Sequence, residues 1–346
     1  MPSYGSVTHT PTASPRPSPS ERDSFIWGMF LSLALIWGSS FLFIKIGLDA
    51  GMPPFTLVTW RMAMASLFLV VVLRLTHGHW PRATGALSRL TILAFFNVAV
   101  PGLLISWGEQ SISSALTSVL NGLNPLFTIV IAALVLRDEP ITLNRLAGLL
   151  IGFGGAAVLA SPNLGQSGSG VSATAALLGE LAVTLGALSY AIGAVYSRHR
   201  ITGHALVDDP DTGPRRATPV EIALPQAALS GIICGVFAIV FERPAGGVLS
   251  LPPDAASWFS VTWLGMLGSG LAYLLFFRLV RAWGATRTTM VTYAMPIVGI
   301  SLGLIFLNEQ LHPVEIVGTA LILGGLVLAN SSVGQRVLFQ RSPPDP

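Results

Sequence analysis

Polar and aromatic side chains inside long apolar runs carry what chemistry this sequence offers, because an intramembrane polar group must find a partner. Asn121 and Asn124 stand three apart, on one helix face, and Pro125 follows, withholding a backbone N–H and releasing a carbonyl nearby. Such a stretch can bind a small amino or carboxylate group, and it serves equally to hydrogen-bond one helix to the next. Thr292 and Tyr293, just ahead of Pro296, carry the same two readings. Trp37, Phe43, Tyr190, Tyr273 and Tyr293 can wall a cavity, as pocket linings do, or simply pack, and Ser40 and Asn97 add polar groups. Arg61 lies on the order of 10 Å from the near end of its run at ~1.5 Å per residue, so its charge needs a partner. Pairing with a backbone carbonyl or carboxylate is favoured there over attraction of an anionic substrate, and Lys45 is expected to snorkel to an interface. Glu180, near the start of its run, is the best-placed carboxylate for proton coupling, although a helix N-terminus favours a negative charge anyway. Glu109, Glu139, Glu221 and Glu309 fall at run ends, where Glu139 and Glu309 are expected to fix turns.

These residues need apolar elements to position them, and the composition supplies little else. Of 346 residues 52% are hydrophobic and 10% charged, against about 25% charged in soluble domains. Runs of roughly 20 apolar residues, enough to cross a ~30 Å hydrocarbon core, predict ten helices near 25–47, 54–75, 89–107, 113–136, 143–160, 174–197, 219–241, 258–280, 286–307 and 313–330. The fold class is therefore all-α and membrane-integral. Residues 1–24, rich in Ser, Thr and Pro, are expected to be a disordered tail, 161–173 a Gly/Ser linker, 331–346 a second tail, and His199–Thr218 a solvated connector. The first apolar run exceeds the 7 to 15 residues of a signal-peptide core. Trp27, Trp60, Trp80, Trp107, Trp258 and Trp283 sit near run ends, where an interfacial belt accounts for them. Cys234, the single cysteine, excludes a disulfide framework. The net charge of +3, scattered over short loops, gives no nucleic-acid surface, and no cofactor motif is present.

Every arginine outside the runs except Arg243 falls on one side of the membrane, which places both termini in the cytoplasm. The halves also repeat. Laying 119–160 on 290–330 sets Pro125 against Pro296, Glu139 against Glu309, Gly148 against Gly318, and Gly154–Gly155 against Gly324–Gly325; earlier, Arg61 faces Gln226 and Trp37–Lys45 faces Tyr190–Arg198. Five helices per repeat invert the second copy, an architecture common among secondary transporters. Gly148/Gly152, Gly231/Gly235 and Gly299/Gly303 allow close helix approach within the chain or in a homodimer.

The sequence resembles the drug/metabolite transporter superfamily in its ten-helix EamA-like form over residues 25–330. The likeness is carried by Trp37-Gly38-Ser39-Ser40-Phe41 with Lys45, Arg61, Asn124-Pro125 with Asp138-Glu139-Pro140, Gly179-Glu180, Tyr190-Ala191, and Met295-Pro296 with Asn308-Glu309 and Gly318. Tyr190 stands where the family often has Trp. The resemblance implies a basket-shaped bundle of two five-helix repeats, 25–160 and 174–330, and a central cavity lined chiefly by helices 1, 3, 4, 6, 8 and 9. It also implies export of amino acids or related metabolites across an inner membrane, by a monomer or homodimer. A nucleotide-driven pump is disfavoured, because the single lysine supplies no phosphate-binding loop. The remaining readings are uniport or exchange of an anionic metabolite such as a phosphorylated sugar, for which Lys45 and Arg61 offer few cations, and a non-transporting scaffold.

Overall fold

The computed structural model describes residues 19–81, 85–135, 141–164, 171–209, 211–243, 247–283, 288, 290–331 and 337–339. Ten helices follow in chain order. α1 runs Pro19–Gly38 and continues as Ser40–Asp49, α2 is Pro54–Leu75, α3 is Ala86–Gly108, and α4 is Ser114–Asn121 continued by Asn124–Val135. α5 is Leu143–Leu164, α6 Val171–Arg200, α7 Pro219–Glu242, α8 Ala255–Trp283, α9 Val291–Phe306 and α10 Pro313–Asn330. Among the described residues nine helices are long and apolar enough to cross a membrane, and α9 is shorter at 16 residues.

Sequence chemistry explains where several helices begin. Pro54, Pro219 and Pro313 occupy the first positions of α2, α7 and α10, where a missing N–H is harmless and φ is already helical. The Ser113 hydroxyl accepts from Leu116 N at 3.1 Å, and the Asp254 carboxylate accepts from Ser257 N at 2.7 Å, capping α4 and α8.

Among the described residues four short strands accompany the helices: β1 (Ile141–Thr142), β2 (Ala205–Asp209), β3 (Gly213–Arg216) and β4 (Val337–Phe339). β1 pairs with β4 and β2 with β3, both antiparallel. These correct several expectations. Helix α1 begins at Pro19, inside the stretch expected to be a disordered tail. The expected linker loses residues 161–164 to α5 and 171–173 to α6. The expected solvated connector is a hairpin with Leu206 and Val207 buried, because its apolar side chains pack with Leu90 and Leu93 of α3, and the C-terminal tail contributes β4. Asp138, Glu139 and Pro140 lie outside the described residues.

Large apolar side chains remain exposed along the helices, including Leu67 and Val71 on α2, Leu150 on α5, Ile232 and Val236 on α7 and Phe306 on α9. Water would penalise this surface, whereas hydrocarbon accepts it. With ten apolar helices in succession, the chain is an all-α, multi-pass integral membrane protein.

The most extensive packing is between α5 and α10, followed by α3 with α6, α2 with α7 and α2 with α8. α4 packs on both α6 and α9, α1 on α9 and α8, and α3 on α7. Small residues set the α5–α10 seam: a Cβ on Gly155 would stand 2.8 Å from the Gly318 carbonyl oxygen, and one on Gly148 would collide with the Gly325 carbonyl. On α7, Gly231 admits Met62 of α2; on α9, Gly299 admits Ser118 of α4.

Carboxylates tie helix ends. At the end of the bundle opposite the β2–β3 hairpin, Glu242 accepts from Phe55 N (2.5 Å), Thr56 N (3.1 Å) and Thr56 Oγ1 (2.6 Å), binding the end of α7 to the start of α2. Glu309 likewise accepts from Ser114 N (2.7 Å) and Ala115 N (3.0 Å) at the start of α4. Both use free N–H groups that a helix start presents to an anion.

Candidate functional site

The middle of the bundle is shaped by breaks in helical regularity. In α3, residues Phe95–Ala99 form a π-helical turn. Pro101 accounts for it, since it has no N–H to offer the Asn97 carbonyl one turn earlier and its ring crowds that carbonyl. The widened turn presents Asn97, whose Nδ2 donates to Gln226 Oε1 of α7 at 3.4 Å. The Ser189 hydroxyl of α6 donates to the Phe96 carbonyl at 2.8 Å. Gly193 lets α6 come this close, because a Cβ there would stand 2.7 Å from the Asn97 Cβ.

Helix α8 has a corresponding π-helical stretch, Trp263–Leu271, with Gly265, Gly268 and Gly270 in place of a proline. Trp37 Nε1 of α1 donates to the Gly268 carbonyl at 3.2 Å. Arg61 Nε of α2 donates to Ser269 Oγ at 3.0 Å, and that hydroxyl donates to the Leu264 carbonyl at 3.1 Å. The expected structural pairing of Arg61 with a backbone carbonyl or carboxylate is thus replaced, among the described residues, by a hydroxyl, because α8 brings Ser269 to the guanidinium.

Aromatic groups gather at the same place. Tyr273 packs edge-on against Trp37 with ring centroids 6.5 Å apart, and Phe276 lies 5.6 Å from the same indole. Tyr190 of α6 and Tyr273 of α8 sit deep in the bundle within electrostatic reach of each other and of Arg61. Neither phenol has a hydrogen-bond partner among the described residues, yet both side chains keep accessible surface. Ser40 bonds its own helix, donating to the Ile36 carbonyl at 3.2 Å, with Gly268 opposite.

Helix α4 is interrupted at Gly122–Leu123, just ahead of Pro125. Asn121 is 9% exposed and its Oδ1 is buried without a partner among the described residues. Asn124 Oδ1 accepts from Thr128 Oγ1 at 3.2 Å. Pro296 is buried within α9 and faces the break, with a Cβ on Gly122 standing 3.5 Å from its Cγ. Tyr293 turns to α10 and donates to the Leu326 carbonyl at 3.3 Å, a helix-packing contact.

Glu180 is buried in α6, one residue past Gly179, whose backbone meets Gly108 of α3. Lys45, expected to snorkel to the outer interface, donates from Nζ to the Glu109 carbonyl at 3.1 Å and pairs with Asp49 at 3.6 Å, both at helix ends, its side chain 21% exposed. Burial correlates poorly with position in a run here: Glu109, one residue beyond α3, is 0% exposed. Sequence reasoning passed over Glu109, Gln226 and Ser269 as site residues; only Gln226 carried a signal, its alignment with Arg61 across the repeat.

The described residues bring hydrogen-bonding and aromatic groups together at this place. Among the described residues no three His, Cys, Asp or Glu side chains converge to hold a metal ion. The arrangement suits reversible binding of a small molecule.

Comparison with known proteins agrees. The uncharacterized inner membrane transporter YedA of Escherichia coli (strain K12) is 26% identical over 92% of this chain and 94% of its own length. An uncharacterized transporter of Archaeoglobus fulgidus is 24% identical over 87% of this chain and 97% of its own. The protein named "Probable terminal-alkyne amino-acid exporter" in Streptantibioticus cattleyicolor is 26% identical over 90% of this chain and 95% of its own. A solved crystal structure shares the fold at a TM-score of 0.58 and 17% identity, covering 88% of this chain and 96% of that one. The EamA-like transporter family model matches residues 25–161 and again 177–331, and a family of transporters rather than enzymes is therefore where ten apolar helices around a polar, aromatic-walled centre place this chain: it belongs to the EamA-like transporter family.

Proposed function

We propose that the protein is a secondary transporter that exports small metabolites, amino acids or aromatic compounds, by alternating access of two inverted halves, 25–160 and 174–330. In this reading it sits in the inner (plasma) membrane with both termini cytoplasmic. One observation carries the proposal: the most extensive helix contacts recur when each helix is exchanged for its counterpart five places away, although lesser ones such as α5–α6 and α1–α4 do not. The pairs α2–α7, α4–α9 and α5–α10 map onto themselves, α3–α6 onto α8–α1, α4–α6 onto α9–α1, and α2–α8 onto α7–α3. The aligned glycines follow, since the Gly148–Gly325 approach maps onto Gly318–Gly155. So do the central polar pairs, Arg61–Ser269 mapping onto Gln226–Asn97. Two equivalent interfaces of opposite direction can open in turn around one central site.

Trp37, Tyr190, Tyr273, Asn121 and Asn124 are the residues assigned to substrate contact. An amino-acid substrate is supported by the name of the Streptantibioticus relative and by a site with one central cation. The test is efflux of labelled amino acids and aromatic metabolites from cells expressing the protein. Faster efflux of one class is expected, reduced at least about tenfold in Trp37→Ala and Asn124→Ala at matched membrane abundance, a loss of ~1.4 kcal/mol of stabilisation. Collapse of the proton gradient in the same cells tests coupling, for which Glu180 is the candidate. Absence of efflux for every compound, with folded protein in the membrane, would move the reading to anion exchange or a scaffold.

A further inference from the structure

Arg61 sits inside α2 with a single hydrogen-bond partner among the described residues, the Ser269 hydroxyl. Its neighbours fix it from the backbone side: a Cβ on Gly265 of α8 would stand 2.5 Å from the Arg61 carbonyl oxygen, so α8 is seated directly on this turn. The Nε–H is used, and the Nη1 and Nη2 amines have no acceptor among the described residues. No described carboxylate pairs with it. A guanidinium at membrane depth with two free amines is expensive unless something neutralises it, and the two free N–H edges match the two oxygens of a carboxylate.

The surroundings fit that occupant. Tyr190 and Tyr273 lie within electrostatic reach of Arg61 from α6 and α8, their hydroxyls unpartnered and their side chains partly accessible. A phenol can also donate to a carboxylate, though without the guanidinium's charge, so α6 and α8 place two neutral donors within electrostatic reach of the Arg61 cation. Trp37, against Tyr273, offers an apolar face for the remainder of the molecule. We propose that Arg61 is the anchor of the substrate's carboxylate, with Tyr190 and Tyr273 as flanking donors, and that the substrates are small monocarboxylates or zwitterionic amino acids carrying an apolar or aromatic side chain.

A single guanidinium balances a single carboxylate, whereas a dianionic phosphoester would bring a second charge for which no described cation stands beside Arg61. The repeat makes the asymmetry informative. The counterpart of Arg61 is neutral Gln226, already engaged by Asn97, so the carboxylate end is specified by the α2–α8 side alone. This inference rests on the transporter reading and deepens it.

The experiment uses the full chain in proteoliposomes. It measures counterflow of labelled phenylalanine, leucine, tryptophan and phenylpyruvate, beside phenylethylamine and phenylalaninamide, which lack the free carboxylate. The wild type is expected to move at least one carboxylate compound and to discriminate against the amine and the amide by tenfold or more. Arg61→Gln is expected to lose the carboxylate compound at least tenfold, and Arg61→Lys, which keeps the charge without the fork, to raise KM with less effect on kcat. Ser269→Ala, which removes only the internal partner, is expected to keep the discrimination. Equal transport of acid, amine and amide by the wild type would overturn the inference without needing any variant. So would folded Arg61→Gln protein that moves the acid at the wild-type rate, and either result leaves the transporter reading standing. Failure of the wild type to move any of the compounds would instead sink that reading, and this inference with it.

Discussion

Glu109 is fully buried one residue past the end of α3, and neither carboxyl oxygen has a hydrogen-bond partner among the described residues. Burial holds this carboxyl well above the ordinary range; the Lys45 charge opposes that shift, and Glu309 and Asp49 add to it. Glu180 of α6 stands one residue from the Gly179–Gly108 contact and is the carboxylate that α6 brings to this region. The sign follows from linkage: a carboxyl harder to ionise folded than unfolded destabilises the fold increasingly as pH rises from its unfolded value of about 4.3 toward the raised one. Glu109→Gln removes that penalty and keeps the shape. Thermal midpoints of the purified protein should therefore diverge as pH rises, the variant gaining on the wild type; parallel curves would mean that Glu109 is solvated. Arg61 belongs to the same scale, where a charge acquires its role from the side chains that neighbouring helices present to it.

Between elements, the best-defined tie outside the membrane helices joins the β2–β3 hairpin to the start of α7. Arg215 donates from Nη2 to Glu221 Oε1 (2.7 Å), from Nη1 to Glu221 Oε2 (2.9 Å) and from Nε to Asp209 Oδ2 (3.1 Å). Glu221 also accepts from His79 N at 2.6 Å, which brings the α2–α3 connection into the same knot. Asp209 is held down at about 2 by the Asp211 backbone N–H, then by Arg215 and the Thr212 N–H. Its contribution is present above an unfolded value of about 3.9 and fades only as pH falls through about 2, so the knot is constant across the neutral range. Arg215→Ala leaves Glu221, 0% exposed, without its cation, a change costing about 3 kcal/mol. A clear drop in the thermal midpoint in detergent is expected, larger than for Arg216→Ala on the exposed side of the same strand.

For the whole molecule, the proposed inverted halves and the arginine distribution predict an orientation with both termini cytoplasmic. Cys234 is 0% exposed, so the native chain gives a silent background for thiol labelling. Thr212→Cys, in the hairpin, is expected to resist a membrane-impermeant maleimide in intact cells and to react in inverted vesicles, while Ser250→Cys, between α7 and α8, should do the reverse. Identical labelling of both from one side would refute the proposed orientation, because α7, a single crossing, lies between the two positions.

Ten apolar runs, their order, and the duplication of Pro125 and of several Gly positions were legible in the sequence because membrane burial is a local property. Every residue of a span meets the same solvent, and hydrocarbon demands some 20 apolar residues and internally satisfied backbone. Pro101 was equally legible, but the π-helical turn it produces was not, nor the comparable turn in α8, whose glycines permit it without a proline. Tertiary structure alone decided which polar side chains meet. Arg61 and Ser269 are 208 residues apart, and Asn97 and Gln226 are 129 apart; their pairing depends on helix rotation and tilt, which are set by packing against neighbours and leave no trace in a hydrophobic run. The same holds for Glu109 and for the hairpin, whose burial comes from elements distant in sequence.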